Sequence, residues 1–191
     1  ELNDYWELIA PVFQEDESFA FSIAQNVAMK DKEGQDRTQI EKALAEADLL
    51  EKVQQLSKGM DTYLYKNLED DGTDFSGGQK QRVAIARQFV RENEYIILDD
   101  SLSAVDTETD SKIRAAITRE SKNATVIIIS HRVTTLSQAD SILVLENGRV
   151  AEYGTPSELL QNGKTYSKIY ELQTCVPDSD NYLKGSEVDN D

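Results

Sequence analysis

Three short apolar runs stand out from an otherwise polar chain: Tyr95 to Leu98 (YIIL), Ala124 to Ile129 (ATVIII) and Ser141 to Leu145 (SILVL). All are rich in β-branched residues and none alternates, the pattern of strands covered on both faces. Between the first two, Thr107 to Ser121 carries Ile113, Ala116 and Ile117 at helical spacing. Strand, helix and strand of these lengths make a right-handed crossover, so the sequence predicts an α/β core built on a parallel sheet. After the third run, Glu146-Asn147-Gly148 signals a hairpin turn leading into Arg149 to Tyr153 as an antiparallel edge strand. From about Glu15 to Thr73 the pattern changes. The stretch TQIEKALAEADLLEKVQQL is polar and helical, with Ile40, Ala43, Leu44, Ala47 and Leu50 marking one face, and no clear strand signal interrupts it. It predicts a helical subdomain inserted into the α/β core. Val176 to Asp191 holds five acids and one lysine and reads as a disordered tail.

Charge narrows the field of functions. The 191 residues carry 36 Asp and Glu against 20 Lys and Arg, a formal net charge of −16. Such a surface repels phosphate backbones and anionic lipid, which argues against nucleic-acid binding. A lone cysteine, Cys175, allows no internal disulfide. No apolar run approaches the roughly 20 residues that span a bilayer, and the N-terminus lacks a basic-then-apolar signal pattern. The expectation is a soluble, cytosolic chain. A single histidine and no CxxC pair leave no material for a His-rich or thiolate metal site.

Four constellations could carry chemistry. In Ser76-Gly77-Gly78-Gln79 the serine suits an N-cap, and Val83 and Ala86 follow at helical spacing. Glycines at a helix start let backbone N–H groups approach an anion, so the turn suits a phosphate; a plain capped turn reads the same way. Asp99 and Asp100 end the first apolar run, which puts two carboxylates at the carboxyl edge of the sheet, where open α/β sheets bind ligands. One carboxylate there can hold Mg²⁺ and its neighbour can orient a water, although solvated strand ends also favour Asp. His131 follows the second run, again beyond a strand. Gln14 closes Val12-Phe13-Gln14, read as a short strand, immediately before the helical stretch, where it could sense a ligand.

Taken together and in this order, these pieces resemble the ATPase domain of an ABC transporter, over about Leu2 to Gln173. By that resemblance Gln14 matches the Q-loop, and Ser76, Gly77, Gly78 and Gln79 match the signature motif, with Phe75 in place of the usual leucine. Asp99 matches the Walker B aspartate, Asp100 the position of the general base, Ser103 to Asp106 the D-loop, and His131 the switch histidine. The segments Glu15 to Val27 and Tyr153 to Leu160 resemble the exporter branch. Glu69-Asp70-Asp71-Gly72 keeps the acid and final glycine of the exporters' Gly-Glu-x-Gly loop and lacks its first glycine. The implied fold is a partial RecA-like parallel sheet with an inserted helical subdomain and a C-terminal antiparallel edge hairpin. Implied boundaries are residues 1–14 for the end of the first core part and the Q-loop, 15–75 for the helical signature subdomain, 76–173 for the remaining core, and 174–191 for the acidic tail.

The resemblance further implies ATP and Mg²⁺ as ligands, with Asp99 and Gln14 serving the metal. Asp100, His131 and Gln14 would act in catalysis, and Ser76 to Gln79 with Asp106 would face the nucleotide of a second ATPase domain. It implies a membrane-domain partner and a place on the cytoplasmic face of the membrane. A DNA-repair or chromosome-organising ATPase shares the signature but inserts a long coiled coil before it, for which Gln14 to Ser76 is too short and lacks sustained heptads. A non-catalytic interaction module is the other alternative.

Two departures matter. A GxxxxGKS or GxxxxGKT loop belongs tens of residues before Gln14, yet only thirteen residues precede it and none fits. Gly163-Lys164-Thr165 is a decoy, because the motif's first glycine would fall on Glu158 within an apparent helix. These 191 residues therefore read as a fragment that starts after the phosphate-cradling loop. The second departure is Asp100 itself, where the family has glutamate. A carboxylate one methylene shorter misplaces the attacking water, and about 1 Å of misplacement can cost roughly 10²-fold in rate. An aspartate there beside an intact signature resembles one half of a heterodimeric exporter. Titration of ATP into the isolated 191 residues should give no binding in the micromolar range; a micromolar dissociation constant by calorimetry would contradict the fragment reading.

Overall fold

The computed structural model describes residues 8–14, 18–66, 71–91, 93–121 and 123–174. The chain divides between Ile129 and Ser130 into two compact units. In the first, β1 (Ile9–Val12), β2 (Tyr95–Asp99) and β3 (Thr125–Ile129) form a parallel sheet in the order β1-β2-β3. Val12 pairs with Leu98 and Asp99 with Ile129, so the three carboxyl ends share one edge. Pro11 occupies the middle of β1, which pairs with β2 alone in this sheet; an edge strand tolerates the missing N–H donor. The strand thus ends at Val12, and Phe13 and Gln14 follow it rather than completing it, which corrects the sequence expectation.

Among the described residues, the helices of this unit are α1 (Ile23–Ala28), α2 (Arg37–Glu46), α3 (Leu50–Gln54), α4 (Gly77–Phe89) and α5 (Thr107–Glu120). Each long one starts on a side chain suited to capping: Asp36 for α2, Ser76 for α4 and Asp106 for α5. The expected single helix face from Ile40 to Leu50 is broken. Asp48 takes a left-handed backbone (φ 55°), a conformation Asp tolerates better than most residues, and it separates α2 from α3. Leu49 is consequently fully buried, while Leu50 only packs against the edge of the core. Two isolated bridges, Ser22 with Tyr63 and Leu64 with Thr73, also interrupt the helical stretch.

Two apolar cores result. One collects Ile23, Val27, Ile40, Leu44, Leu49 and Val53 under α4 residues Val83 and Ala86. The other packs Val12, Ile96, Leu98, Ile113 and Ile117 against Ala84 and Ile85 from the same helix. Burying a Leu or Ile side chain contributes about 1.5–3 kcal/mol, so these two clusters set the arrangement of the unit. The expectation that all three apolar runs are covered on both faces fails for β3, whose Ile127 and Ile129 are exposed, because α5 and the sheet core cover only the Val126 and Ile128 side.

In the second unit β4 (Ile142–Glu146) and β5 (Arg149–Gly154) pair antiparallel. Asn147 and Gly148 both have positive φ (49° and 73°), the requirement of a tight two-residue hairpin turn. Helices α6 (Pro156–Gln161) and α7 (Thr165–Thr174) follow, and Leu159 and Tyr166 join Val133 and Ile142 in a small core. The other hairpin face leaves Leu143, Leu145, Val150 and Tyr153 exposed, so the third apolar run is also covered on one side only. Glu158 lies inside α6, where no phosphate-loop glycine could sit. Thr174 closes α7; the remainder of the expected acidic tail lies outside the described residues, as do Glu15, Glu69 and Asp70. Among the described residues no helix is long and apolar enough to cross a membrane. Leu49→Ala should destabilise the chain by about 2–5 kcal/mol and Leu50→Ala by clearly less, read from denaturant midpoints at unchanged slope; equal losses would contradict the break at Asp48.

Candidate functional site

Asp99 is the last residue of β2 and is half-buried. Asp100 follows in a left-handed backbone (φ 44°), and its N–H donates to the carbonyl of Ile129 at 2.9 Å. That bond extends the β2–β3 ladder by one residue while the turned backbone carries the chain off the sheet edge. The loop then closes on itself, with Ser103 N–H on the carbonyl of Asp100 (3.1 Å) and Val105 N–H on that of Leu102 (3.2 Å). Ser101, Leu102 and Val105 are buried beneath it. Asp106 caps α5, its carboxylate accepting the Thr109 N–H at 3.0 Å. That backbone donor is the main reason its carboxyl is held below the ordinary carboxylate range, with Arg82 adding a weaker attraction.

The Ser76 to Gln79 turn is a reciprocal capping box. Ser76 Oγ accepts the Gln79 N–H (3.3 Å) and Gln79 Oε1 accepts the Ser76 N–H (3.0 Å). Ser76 and Gly77 are exposed, whereas Phe75 is buried in the helical core and anchors the turn from behind. Gly78 is needed for close approach: a Cβ there would stand 2.6 Å from the carbonyl oxygen of Ala104. One turn further along the same face of α4, Gln81 is buried, and its amide contacts three groups. Its Oε1 accepts the Ala104 N–H at 3.2 Å, and its Nε2 donates to the Gln14 carbonyl and to Ser103 Oγ, each at 3.4 Å. The structure thus brings together the backbone after β1, the loop after β2 and the start of α4.

His131 belongs to the second unit and is exposed there. Its carbonyl accepts a bond from Gln173 Nε2 at 2.8 Å, while Gln173 Oε1 accepts the Val133 N–H at 2.9 Å, so α7 clamps the histidine-bearing segment from one side.

Sequence reasoning missed Gln81, Gln173 and Asn26. A glutamine in an amphipathic helix reads as solvent-facing, and the signal that could have exposed Gln81 is its three-residue spacing from Gly78. Asn26 lies fully buried inside α1, an unfavourable place for its side chain unless it bonds locally. It does so: Nδ2 donates to the carbonyls of Phe19, Phe21 and Ser22, and Oδ1 accepts the Phe19 N–H at 2.8 Å. The bonds fix a loop that presents Phe19 and Phe21 to solvent beside Met29, with a groove lined also by Gln25, Lys30 and Asp31.

The chain is similar to known proteins over most of its length. A family model described as ABC transporter matches residues 3–103. The ATP-dependent lipid A-core flippase of Haemophilus ducreyi is 37% identical over 172 residues, covering 90% of this chain and 29% of that protein. The flippase of the same name from Vibrio cholerae is 40% identical over 155 residues, covering 81% of this chain and 26% of that protein. The chain therefore spans under a third of the length of either relative. Among solved structures, a bacterial Atm1-family ABC exporter with ATP bound superposes with a TM-score of 0.78 at 32% identity, over 87% of this chain and 29% of that one. With a family model matched over more than half of its length and relatives 37–40% identical over four fifths or more of it, the chain belongs to the ABC transporter family, as the nucleotide-binding domain of an exporter.

Proposed function

We propose that the chain is part of the ATP-hydrolysing motor domain of an exporter, a domain that acts as one of two paired head to tail around ATP. The observation that carries this reading is the shared edge of the sheet. Gln14 and the Asp99-Asp100 pair follow parallel strands at their carboxyl ends, and Gln81 ties that edge to the helix bearing Ser76 to Gln79. In the proposed division of labour, Asp99 and Gln14 serve the metal, Asp100 orients the attacking water, and His131 contacts the γ-phosphate. Ser76 to Gln79 and Asp106 complete the site of the second domain.

The donor set fits Mg²⁺. Carboxylate and amide oxygens are its preferred protein ligands, and it takes only one or two carboxylates, the rest being phosphate and water. When bound, Mg²⁺ would supply neutralisation of charge on the phosphate oxygens. The chain's own residues then have two tasks, which are to hold Asp100 at the strand end and to present the capped turn outward. The 191 residues contain no phosphate-cradling loop, so by themselves they would grip ATP weakly and turn it over little.

Coupling to a membrane domain at the cytoplasmic face of the membrane is part of the proposal. Phe19, Phe21 and Met29 are exposed around one groove, and Phe13 is exposed just after β1; exposed apolar side chains of this kind suit a docking site. The second domain is a different chain in this reading. The left-handed backbone at residue 100 suits aspartate, but the shorter side chain draws the carboxylate back from an attacking water. The site around Asp100 would therefore hold ATP and hydrolyse it slowly, while Ser76 to Gln79 would complete the faster site opposite. In the full-length transporter, Asp100→Glu should raise single-turnover hydrolysis at this site roughly ten- to a hundredfold, and Ser76→Ala should slow the opposite site. Unchanged rates in both variants would overturn the asymmetric assignment.

A further inference from the structure

Gln81 lies on neither of the surfaces that the proposed mechanism uses, yet its amide sits where three of that mechanism's segments meet. Gly78 and Gln81, one helical turn apart on α4, hold the same residue from two sides. The Ala104 carbonyl fills the space a Cβ of Gly78 would take, and the Ala104 N–H is bonded to Gln81 Oε1. Gln81 Nε2 lies 3.4 Å from both the Gln14 carbonyl oxygen and Ser103 Oγ, within reach to donate to each. A glutamine amide offers two donors and an acceptor oxygen, which matches the two acceptors and one donor set around it. Gln81 is 8% exposed, which excludes most of the competing water. Buried networks of this kind fix geometry when every member is satisfied, and removing one member leaves polar groups unpaired.

We propose that Gln81 is a positioning residue that makes the signature turn, the loop at Ser103–Ala104 and the backbone at Gln14 move as one body. The inference rests on the reading of these segments given above. By that reading Gln14 answers to the chain's own nucleotide, whereas Ser76 to Gln79 and Asp106 serve the nucleotide of the second domain. A single amide bonded to the first and anchored in the helix of the second carries displacement from one to the other. No side chain at position 81 that lacks both a donor and an acceptor can do this. Glutamate keeps the acceptor for Ala104 but turns a carboxylate oxygen toward the Gln14 carbonyl, so it preserves one contact and reverses another.

The test uses the full-length transporter with its second ATPase domain, comparing wild type, Gln81→Ala, Gln81→Glu and Ser76→Ala. ATP turnover is measured per folded molecule, with folded protein quantified by thermal melting and gel filtration. Gln81→Ala should lower kcat roughly ten- to a hundredfold, while KM for ATP stays within about twofold because the variant removes none of the side chains assigned to the nucleotide and alters only how they are set against one another. Gln81→Glu should fall between that variant and wild type. A purely structural role would lower the melting temperature and the yield and leave kcat per folded molecule at the wild-type value; that result overturns the proposal. If the alanine variant does not fold, Gln81→Glu decides by the same criterion. Loss of turnover in Ser76→Ala with wild-type turnover in both Gln81 variants sinks the positioning role alone. Wild-type turnover in all three variants removes the functional reading beneath it as well.

Discussion

Val83 and Ala86 on one face of α4 and Ala84 and Ile85 on the other place this helix between two apolar cores, one made with α1 to α3 and one made with the sheet. A helix buried on two sides has no freedom to rotate about its axis without exposing one set or the other. Its N-terminal turn, Ser76 to Gln79, is therefore aimed by packing thirteen residues long, and the loop after β2 is set against it through Gly78 and Gln81. The position of the polar residues follows from the apolar ones.

Electrostatics plays a second, smaller part in holding the helical segment to the rest. Lys42 pairs with Glu120, Arg119 with Glu46, and Asp48 receives Arg82 and Lys112, so charges on α2 and the α2–α3 junction meet α5 and α4. Most of these groups are well exposed, and exposed pairs contribute little once solvent and salt screen them. Arg82 is the exception in placement, since it also donates to the Asp48 carbonyl and satisfies backbone left unpaired where the helix breaks.

Much of this was legible in the sequence because local signals and tertiary demands coincide. The β2–α5–β3 crossover, the Asn147-Gly148 hairpin and the Ser76 cap each rest on side chains whose preference matches their final place. Misreadings occurred where one residue overrode a pattern. Pro11 hid the true extent of β1, and Asp48 converted a continuous apolar periodicity into two helices with Leu49 rather than Leu50 inside. The apolar runs of β3 and β4 suggested cover on both faces, yet composition says only that a face can be buried and not that a neighbour is there. Gln81, Asn26 and Gln173 were missed for a related reason, the spacing of Gln81 from Gly78 being the one trace any of them left. Their amides work through backbone atoms of distant segments, and no residue-type pattern records a backbone partner.

The capping box at the start of α4 has a consequence for the polarity of that surface. Gln79 turns its carbonyl oxygen inward to the Ser76 N–H, and Ser76 turns its oxygen toward the Gln79 N–H. What is left to point away is hydrogen: the hydroxyl proton of Ser76, the amide protons of Gln79, and the N–H groups of Gly77 and Gly78 ahead of the helical ladder. A chain that is strongly anionic as a whole thus offers, at this one turn, a small patch made of hydrogen-bond donors without a formal charge. Donors of this kind act only at short range, so whatever the turn meets is met by fit rather than by charge on the turn itself.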